Sequence, residues 1–505
     1  MISIPRLLAE LEGRGILLSV ADGQLRYRGP GGALTPADRE TLRARKAEIL
    51  DYLEAREAGL ALRALKGRPG PATPSVGQEM WWPFAGPREG QPLALNIGMV
   101  GLFAATGPDM LEGAIRALIA RHQALCARIA MTGDAMRMTL NPPEDFVVER
   151  VDFAGDAAAA QEDAYRWCAV LVPIQGDWLI RARIYALADG SAVAALSASH
   201  IIADAGTRNI VMAEIELLLD HARAGTEPPP PRSVPFNDYS LAERDFLASP
   251  RGEALIAYWR RWNAAQPVMH APRTGTPLQW APGRRQLHNL AIPGRILERV
   301  QRFAHHLGAT PFLVYLTLYV MTLSRWSGLA RFPIRILGDK RTALEVAETV
   351  GLMFCADAAD VAVPEGADFR AVLRGILADV QAAQETRLPT MHFWAPHCVR
   401  PGIEVPDFPN RIPAVFNYYS AGTARERAGQ AAEPDMSSTM PWPPNVARPP
   451  VQHWPRRSSP IFLHIMDVGS HAAVSFHFQA DMIDDAGQAD FVDTFFQIFA
   501  QMVPE

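Results

Sequence analysis

The stretch Ser197-Ala-Ser-His200-Ile-Ile-Ala-Asp204-Ala-Gly206 closes a nearly continuous apolar run that begins at residue 191. A short run of that kind suits a central strand buried on both faces. From Thr207 to Arg223 the period changes, with Ile210, Val211, Ile215 and Leu218 recurring at helical spacing, so a helix follows. The order strand, loop, helix puts His200 at a strand end and Asp204 four residues on. Strand ends feeding loops are where side chains reach a substrate, and a histidine there can act as a general base near neutral pH. The aspartate is expected to fix the loop by pairing with an arginine. As a bare pattern, His-x-x-x-Asp describes a packed structural histidine more often than a catalytic one, so the rest of the chain decides.

That chain has 505 residues, 49% hydrophobic and 20% charged, with 49 basic against 54 acidic side chains and a formal charge of −5. At roughly 150 residues per domain it holds three or four domain-sized units. Whole-chain disorder is excluded by its apolar content, and no basic excess points to nucleic acid. Met1 to Leu11 carries Arg6 and Glu10 at helical spacing and lacks the apolar core of a signal peptide, so a cytoplasmic location is expected. The most apolar run, Pro311 to Leu323, is broken by Thr317 and Thr322 and closed by Arg325; it is too short to span a bilayer and reads as a buried helix. No membrane partner is expected. Cys126, Cys168, Cys355 and Cys398 have no paired spacing, which fits neither a disulfide framework nor a zinc site.

Residues 1–60 form a unit of their own. Leu7, Leu8 and Leu11 give a short helix stopped by Gly13 and Gly15, and Ile16 to Val20 turns at Asp22-Gly23 into Leu25-Arg-Tyr27, a hairpin signal. Thr35-Pro36 opens one helix expected to run through Leu42, Ile49, Leu50 and Leu53. Between residues 14 and 46, seven basic side chains face three acidic ones, which suits a solvated surface or an acidic peptide partner. Residues 61–74, rich in Gly and Pro, read as a linker. Beyond it strands alternate with helices. Asp109, with Glu112 three residues on, is expected to cap a helix burying Leu111, Ile115, Leu118, Ile119 and Leu125. Proline-rich Glu227 to Pro235 divides a lobe at 75–235 from one at 236–505, and Pro401 to Pro455 reads as a long crossing loop.

From about Thr73 onward the chain resembles the condensation domains of nonribosomal peptide synthetases. Their His-His-x-x-x-Asp-Gly signature reads here Ser199-His200-Ile-Ile-Ala-Asp204-Ala205. Ser75-Val-Gly-Gln78-Glu-Met80-Trp81 resembles the opening block, and Arg121-His122-Gln-Ala-Leu125-Cys126-Ala-Arg128 the Arg-His-Glu-x-Leu-Arg block. Phe236-Asn-Asp238-Tyr239, Tyr258-Trp259, Gly338-Asp-Lys-Arg341, Val350-Gly351-Leu-Met-Phe354-Cys355 and Arg411-Ile-Pro413 follow in the family's order. The first sixty residues resemble the β-hairpin docking domains that precede such enzymes.

The resemblance implies an α/β fold of two chloramphenicol-acetyltransferase-like lobes in a V with a central tunnel, preceded by a small α-β-hairpin-α docking domain. It implies a carrier-protein-dependent acyltransferase that moves an acyl chain from a thioester to an amine or hydroxyl. His200 matches the functional histidine, Asp204 the structural aspartate with Arg341 as its candidate partner, and the amides of Ala205 and Gly206 are candidates to steady an oxyanion. The chain itself would bind no cofactor and no metal; its substrate would ride on the phosphopantetheine of a partner carrier. Implied partners are an upstream acyl or peptidyl carrier protein whose C-terminal tail meets the docking domain, with Arg26 and Arg28 as contacts, and a soluble acceptor or second carrier. Glu505 follows the run Phe491 to Val503 with no adenylation or carrier domain, which makes release of a polyketide or hybrid chain as ester or amide the expected reaction. The rival reading is a catalytically silent domain that only recruits carriers; retention of His200 and Asp204 favours catalysis, while Ser199 and Ala205 depart from the signature. An epimerising relative would need a further acid that the sequence does not supply. Cys355-Ala356 stands where the family has Asn-Thr, an atypical donor channel. His392, His397 and Cys398 have no metal-site spacing, and His305-His306 reads as a polar helix face.

Overall fold

The computed structural model describes residues 3–60 except 13, 15, 22 and 29–32, residues 72–85, residues 96–388 except 134 and 175, and residues 411–420, 452–467 and 471–503. The N-terminal unit comprises α1 (Ile4–Glu12), β1 (Leu17–Ala21), β2 (Gln24–Arg28), α2 (Pro36–Ala44) and α3 (Lys46–Leu60). Gly23 turns the hairpin at φ +67°, a left-handed conformation that a side chain would disfavour. Thr35 and Asp38 form a reciprocal capping box at the start of α2. The single helix expected from Thr35 onward is two: Arg45 leaves the helical region, returns its N–H to Thr41, and pairs its buried guanidinium with Glu48.

The first lobe comprises α4 (Val76–Ala85), β3 (Asn96–Phe103), α5 (Pro108–Arg121), β4 (Ala127–Thr132), β5 (Ala135–Leu140), β6 (Val148–Phe153), α6 (Ala157–Ala169), β7 (Ile180–Leu187), β8 (Ala192–Ser199) and α7 (Ala205–Ala224). Its four-stranded sheet has the order β3-β8-β7-β6. In the central strand β8, Ala192, Ala194, Leu196 and Ala198 join the core beneath α5 and α7, while Val193 and Ala195 join a smaller core beneath α6. Both faces are buried, as the apolar run predicts. Asp109 does not cap α5; Gly107 holds that position without a side-chain bond, and Asp109 and Glu112 instead pair with Arg150 of β6. Leu125 lies in a separate 3-10 turn.

The second lobe comprises α8 (Phe236–Leu247), α9 (Pro250–Ala265), β9 (Ala281–Pro293), α10 (Gly294–Leu307), α11 (Pro311–Ser327), β10 (Arg331–Asp339), β11 (Phe354–Ala362), α12 (Phe369–Glu385), β12 (Ala414–Ser420), β13 (Gln452–Ser458), β14 (Ile461–Asp467), β15 (His471–Gln479) and a last helix, Asp485–Met502. Its seven strands run β11-β10-β12-β14-β15-β9-β13. Helix α11 is the buried helix expected from its composition, and no single described helix is long and apolar enough to cross a membrane. The segment 401–455 is not a single crossing loop: β12 lies inside it, parallel to β10 and β14, because Ala414 and Phe416 fill the core. Residues 401–410 and 421–451 of that segment, and separately His392, His397 and Cys398, fall outside the described residues.

Packing crosses both boundaries read from the sequence. Phe236 and Tyr239 of α8, and Val346 to Met353 between β10 and β11, pack into the first lobe's core. Leu7, Leu8, Leu11, Ile49 and Tyr52 of the N-terminal unit share a core with Leu255, Tyr258 and Trp259 of α9 and with Ala356 and Ala358 of β11. The N-terminal unit is therefore docked against the second lobe, not strung beside it.

Candidate functional site

Strand β8 delivers His200 into a tight loop, in which the Ile202 N–H returns to the Ser199 carbonyl at 3.0 Å. His200 Nδ1 lies 2.7 Å from the Ala203 carbonyl oxygen. A carbonyl only accepts, so Nδ1 carries the proton and Nε2 keeps its lone pair. The ring packs against Trp81 of α4, with centroids 4.8 Å apart, and Phe354 of β11, 5.6 Å apart. Burial lowers the His200 pKa below the ordinary histidine range, with the nearby Asp204 charge opposing the shift. A neutral imidazole with one free nitrogen is the form a proton acceptor requires.

Asp204 is the N-cap of α7 and accepts from the Thr207 N–H at 2.8 Å. Its carboxylate also takes two contacts from the Arg341 guanidinium, at 3.0 and 3.1 Å, and the Met353 N–H at 2.7 Å. Burial alone would raise its pKa; the Arg341 charge and these hydrogen bonds hold it below the ordinary carboxylate range. Arg341 further donates to Asp339, the Thr207 hydroxyl and the carbonyls of Thr349 and Gly351. The aspartate–arginine pair expected from the resemblance is present, and it fastens the histidine loop to the segment between β10 and β11.

Ala205 and Gly206 open α7, where amides have no intrahelical acceptor. A Cβ at Gly206 would fall 2.4 Å from an Arg341 nitrogen and 2.6 Å from Asp339, so a side chain here would push the guanidinium or the Asp339 carboxylate aside. Gly351 is held by sterics as well: a Cβ there would lie 2.1 Å from the Phe236 ring. Around the histidine, Ser75 and Gln78 cap α4 reciprocally, and Gln78 donates to the Ile201 carbonyl at 3.0 Å. Buried Glu243 accepts from the Val76 N–H and pairs with Lys340 at 3.2 Å. Trp81 and Phe354 belonged to quoted blocks, yet their place against His200 was not read from the sequence; they come from points distant along the chain.

Arg26 and Arg28 are not part of this loop; they lie on β2 of the N-terminal unit. Register pairs them with Ser19 and Leu17, so the outward face of the hairpin carries two exposed cations and an exposed leucine. Cys126, Cys168 and Cys355 are buried and free, and burial pushes the Cys355 thiol up to about 12. No metal-binding group of histidine, cysteine and carboxylate occurs among the described residues.

A two-lobed α/β fold with a neutral histidine at a central strand end, its loop pinned by a buried aspartate–arginine pair, defines a class that the comparisons identify. Residues 97–390 match the condensation domain family, and residues 4–55 match the TubC N-terminal docking domain. The chain belongs to the condensation-domain family, whose members form amide or ester bonds, and it carries an N-terminal docking domain. It is similar to the solved structure that describes condensation domain-mediated chain release from the enacyloxin polyketide synthase, at 31% identity and a TM-score of 0.83, covering 100% of this chain and 97% of that one. The cyclization-docking bidomain of EpoB from Sorangium cellulosum has the same fold at 18% identity, TM-score 0.60, covering 99% of this chain and 98% of that one. Among curated proteins, phosphinothricin tripeptide synthetase PhsC of Streptomyces viridochromogenes is 26% identical over 59% of this chain and 28% of its own length. The chain thus spans about a quarter of that relative.

Proposed function

We propose that the protein is a carrier-protein-dependent acyltransferase that releases an acyl chain from a carrier thioester onto an amine or hydroxyl, giving an amide or ester. The observation that carries this reading is the tautomer of His200: Nδ1–H is committed to the Ala203 carbonyl, which leaves Nε2 to take the acceptor's proton. As the acceptor oxygen or nitrogen attacks the thioester carbon, the proton passes to Nε2 and the carbonyl oxygen becomes an oxyanion. The amides of Ala205 and Gly206 at the start of α7 are the nearest candidates to stabilise it. Collapse expels the pantetheine thiolate, which recovers the proton from the imidazolium. In this reading Asp204 and Arg341 act through the loop and not on the substrate.

The donor arrives on the phosphopantetheine of a separate carrier in the cytoplasm, and the hairpin with Arg26 and Arg28 receives that carrier's acidic tail. The likeness to the enacyloxin chain-release structure favours release over elongation. Intact-protein mass spectrometry of an acyl-loaded carrier, with and without enzyme and with a panel of hydroxyl and amine acceptors, tests the reading. Loss of the acyl mass with appearance of acylated acceptor supports it. His200→Ala should lower turnover roughly a hundred- to ten-thousandfold while keeping the fold. Carrier binding without transfer by the native chain would favour the silent recruiting domain.

A further inference from the structure

Taking a proton turns the His200 ring from a neutral group into a cation, which its burial disfavours. Another histidine of the same lobe, His122, has the Glu214 carboxylate against its ring. His200 has no such partner among the described residues; its Nδ1 faces the Ala203 carbonyl. The carboxylates carried by the three elements around the ring are each turned to an arginine: Glu79 of α4 to Arg244, Asp204 of the loop to Arg341, and Asp357 and Asp360 of β11 to Arg387 and Arg331. Of these only Asp204 favours the protonated ring, acting through space.

What the ring touches is aromatic. The centroids of Trp81 and Phe354 lie 4.8 and 5.6 Å from it, with planes tilted by 49° and 56°, and 5.5 Å from each other at 79°. Both distances to the imidazole fall within the roughly 6 Å over which an aromatic face attracts a cation, tryptophan most strongly. All three rings are half-buried, so the attraction acts in a medium of reduced dielectric constant while the histidine stays reachable. Trp81 is also held in place. Gln78 of the same helix donates to the Ile201 carbonyl of the histidine loop, and Glu243 accepts the Val76 N–H at the start of α4.

We infer that Trp81, seconded by Phe354, is a positioning residue that stabilises the imidazolium of His200 by cation–π attraction as the acceptor gives up its proton. The inference rests on the acyl-transfer reading above and deepens it. In that reaction the acceptor's lone pair bonds the thioester carbon, its proton passes to Nε2, and the carbonyl π pair moves onto oxygen. When the carbon–sulfur bond breaks, its electron pair leaves with sulfur, which takes the proton back. A cation and an oxyanion therefore coexist beside the loop for one interval. A carboxylate on the imidazole would favour the first and repel the second. A π face carries no net charge and favours the cation alone.

The test separates electrostatics from packing by changing the ring's charge distribution and hardly its shape. Mono-, di- and trifluorotryptophan are placed at position 81 of the full chain, and the His200 signal, assigned by its loss in His200→Ala, is titrated by NMR with isotope-labelled histidine. Each fluorine weakens the π face, so the His200 pKa should fall stepwise, by roughly 0.4 to 1.5 pH units over the series, with the melting temperature nearly constant. A pKa that stays flat or rises, or a His200 that takes no proton before the chain unfolds, would overturn the inference. The second arm measures kcat/KM for transfer from an acyl-loaded carrier. It should fall in step with the pKa, since a weaker base accepts the proton less readily, and Trp81→Phe should retain more of it than Trp81→Leu. Transfer that ignores a falling pKa would overturn the catalytic part. Absence of transfer to every acceptor would sink the acyl-transfer reading alone, because the NMR arm reads the rings without turnover.

Discussion

Two seams hold the parts of this protein together, and they are built from opposite materials. Where the N-terminal unit meets the second lobe, Leu7, Leu8, Leu11, Ile49 and Tyr52 close on Leu255, Tyr258 and Trp259 in a shared apolar core. Where the histidine loop meets the segment between β10 and β11, the contact is a buried network of Asp204, Arg341, Thr207, Gly351 and Met353, with Lys340 and Glu243 beside it. Apolar burial is non-directional and tolerates small shifts, so the first seam favours attachment. Charged hydrogen bonds in a low-dielectric interior fix position and orientation, so the second favours placement of a side chain to within a fraction of an ångström. The difference indicates that the docking unit is a built-in part of the body, and that the expensive interactions are concentrated where His200 must be aimed.

The comparison breaks most sharply at the polar seam. Arg341→Met should leave the Asp204 carboxylate buried without its partner, at a cost of roughly 3–5 kcal/mol. Asp204→Asn combined with Arg341→Met should recover part of that stability, because neither charge is then stranded, while turnover stays low because the loop is no longer pinned. Denaturant unfolding of the two singles and the double checks it; additive losses would show that the two residues are not energetically coupled.

At the apolar seam, Leu11→Ala should cost roughly 2–5 kcal/mol, the range for a fully buried leucine. Deleting residues 3–60 would bare Leu255, Tyr258 and Trp259, so the remaining body should lose thermal stability and gain binding of a hydrophobic dye. A truncated body as stable as the full chain would restore the picture of a separable unit that the linker composition suggests.

A smaller effect lies within the same seam. Asp379 of α12 is bonded by the Ser3 hydroxyl, and burial pushes its pKa up to about 7. A carboxyl whose folded pKa is raised binds its proton more tightly in the folded state, so stability is highest below the unfolded pKa and falls as pH rises from about 4 to about 7. Asp379→Asn should remove that dependence and raise the melting temperature at pH 8, by an amount corresponding to about 1–4 kcal/mol, with little change at pH 4. Equal pH profiles for the variant and the native chain would contradict the buried carboxyl.

Legibility from sequence followed the range of the forces involved. β8 and α7 were readable because a nearly unbroken apolar run and a change of period are local signals, and the N-cap at Thr35 is local as well. The break at Arg45 was not, since burial of its guanidinium and the packing of α3 on α9 decide it. Asp109 follows the rule for a cap, yet Arg150 from β6 takes its carboxylate and Gly107 precedes the helix. His200 and Asp204 were visible in one decapeptide, whereas Arg341 entered through family resemblance and lies 137 residues from Asp204. Trp81 and Phe354 acquire their meaning only from contacts between distant segments.

The smallest structural effect should come from the hairpin, and it separates docking from folding most cleanly. Arg26 and Arg28 project from β2 with Leu17 exposed beside them at 54%, outside the apolar core that joins the unit to α9. Replacing both arginines by glutamate should therefore leave thermal stability within about 0.5 kcal/mol of the native value, as for most surface substitutions. An acidic tail docking on this face would meet repulsion in place of attraction. Affinity for the cognate carrier should fall, and its salt dependence should weaken because the screened attraction is gone. Titration of native and charge-reversed chains with the carrier at two ionic strengths reads both quantities at once. Unchanged affinity at low salt would remove Arg26 and Arg28 from the docking surface and leave the apolar seam as the unit's principal contact.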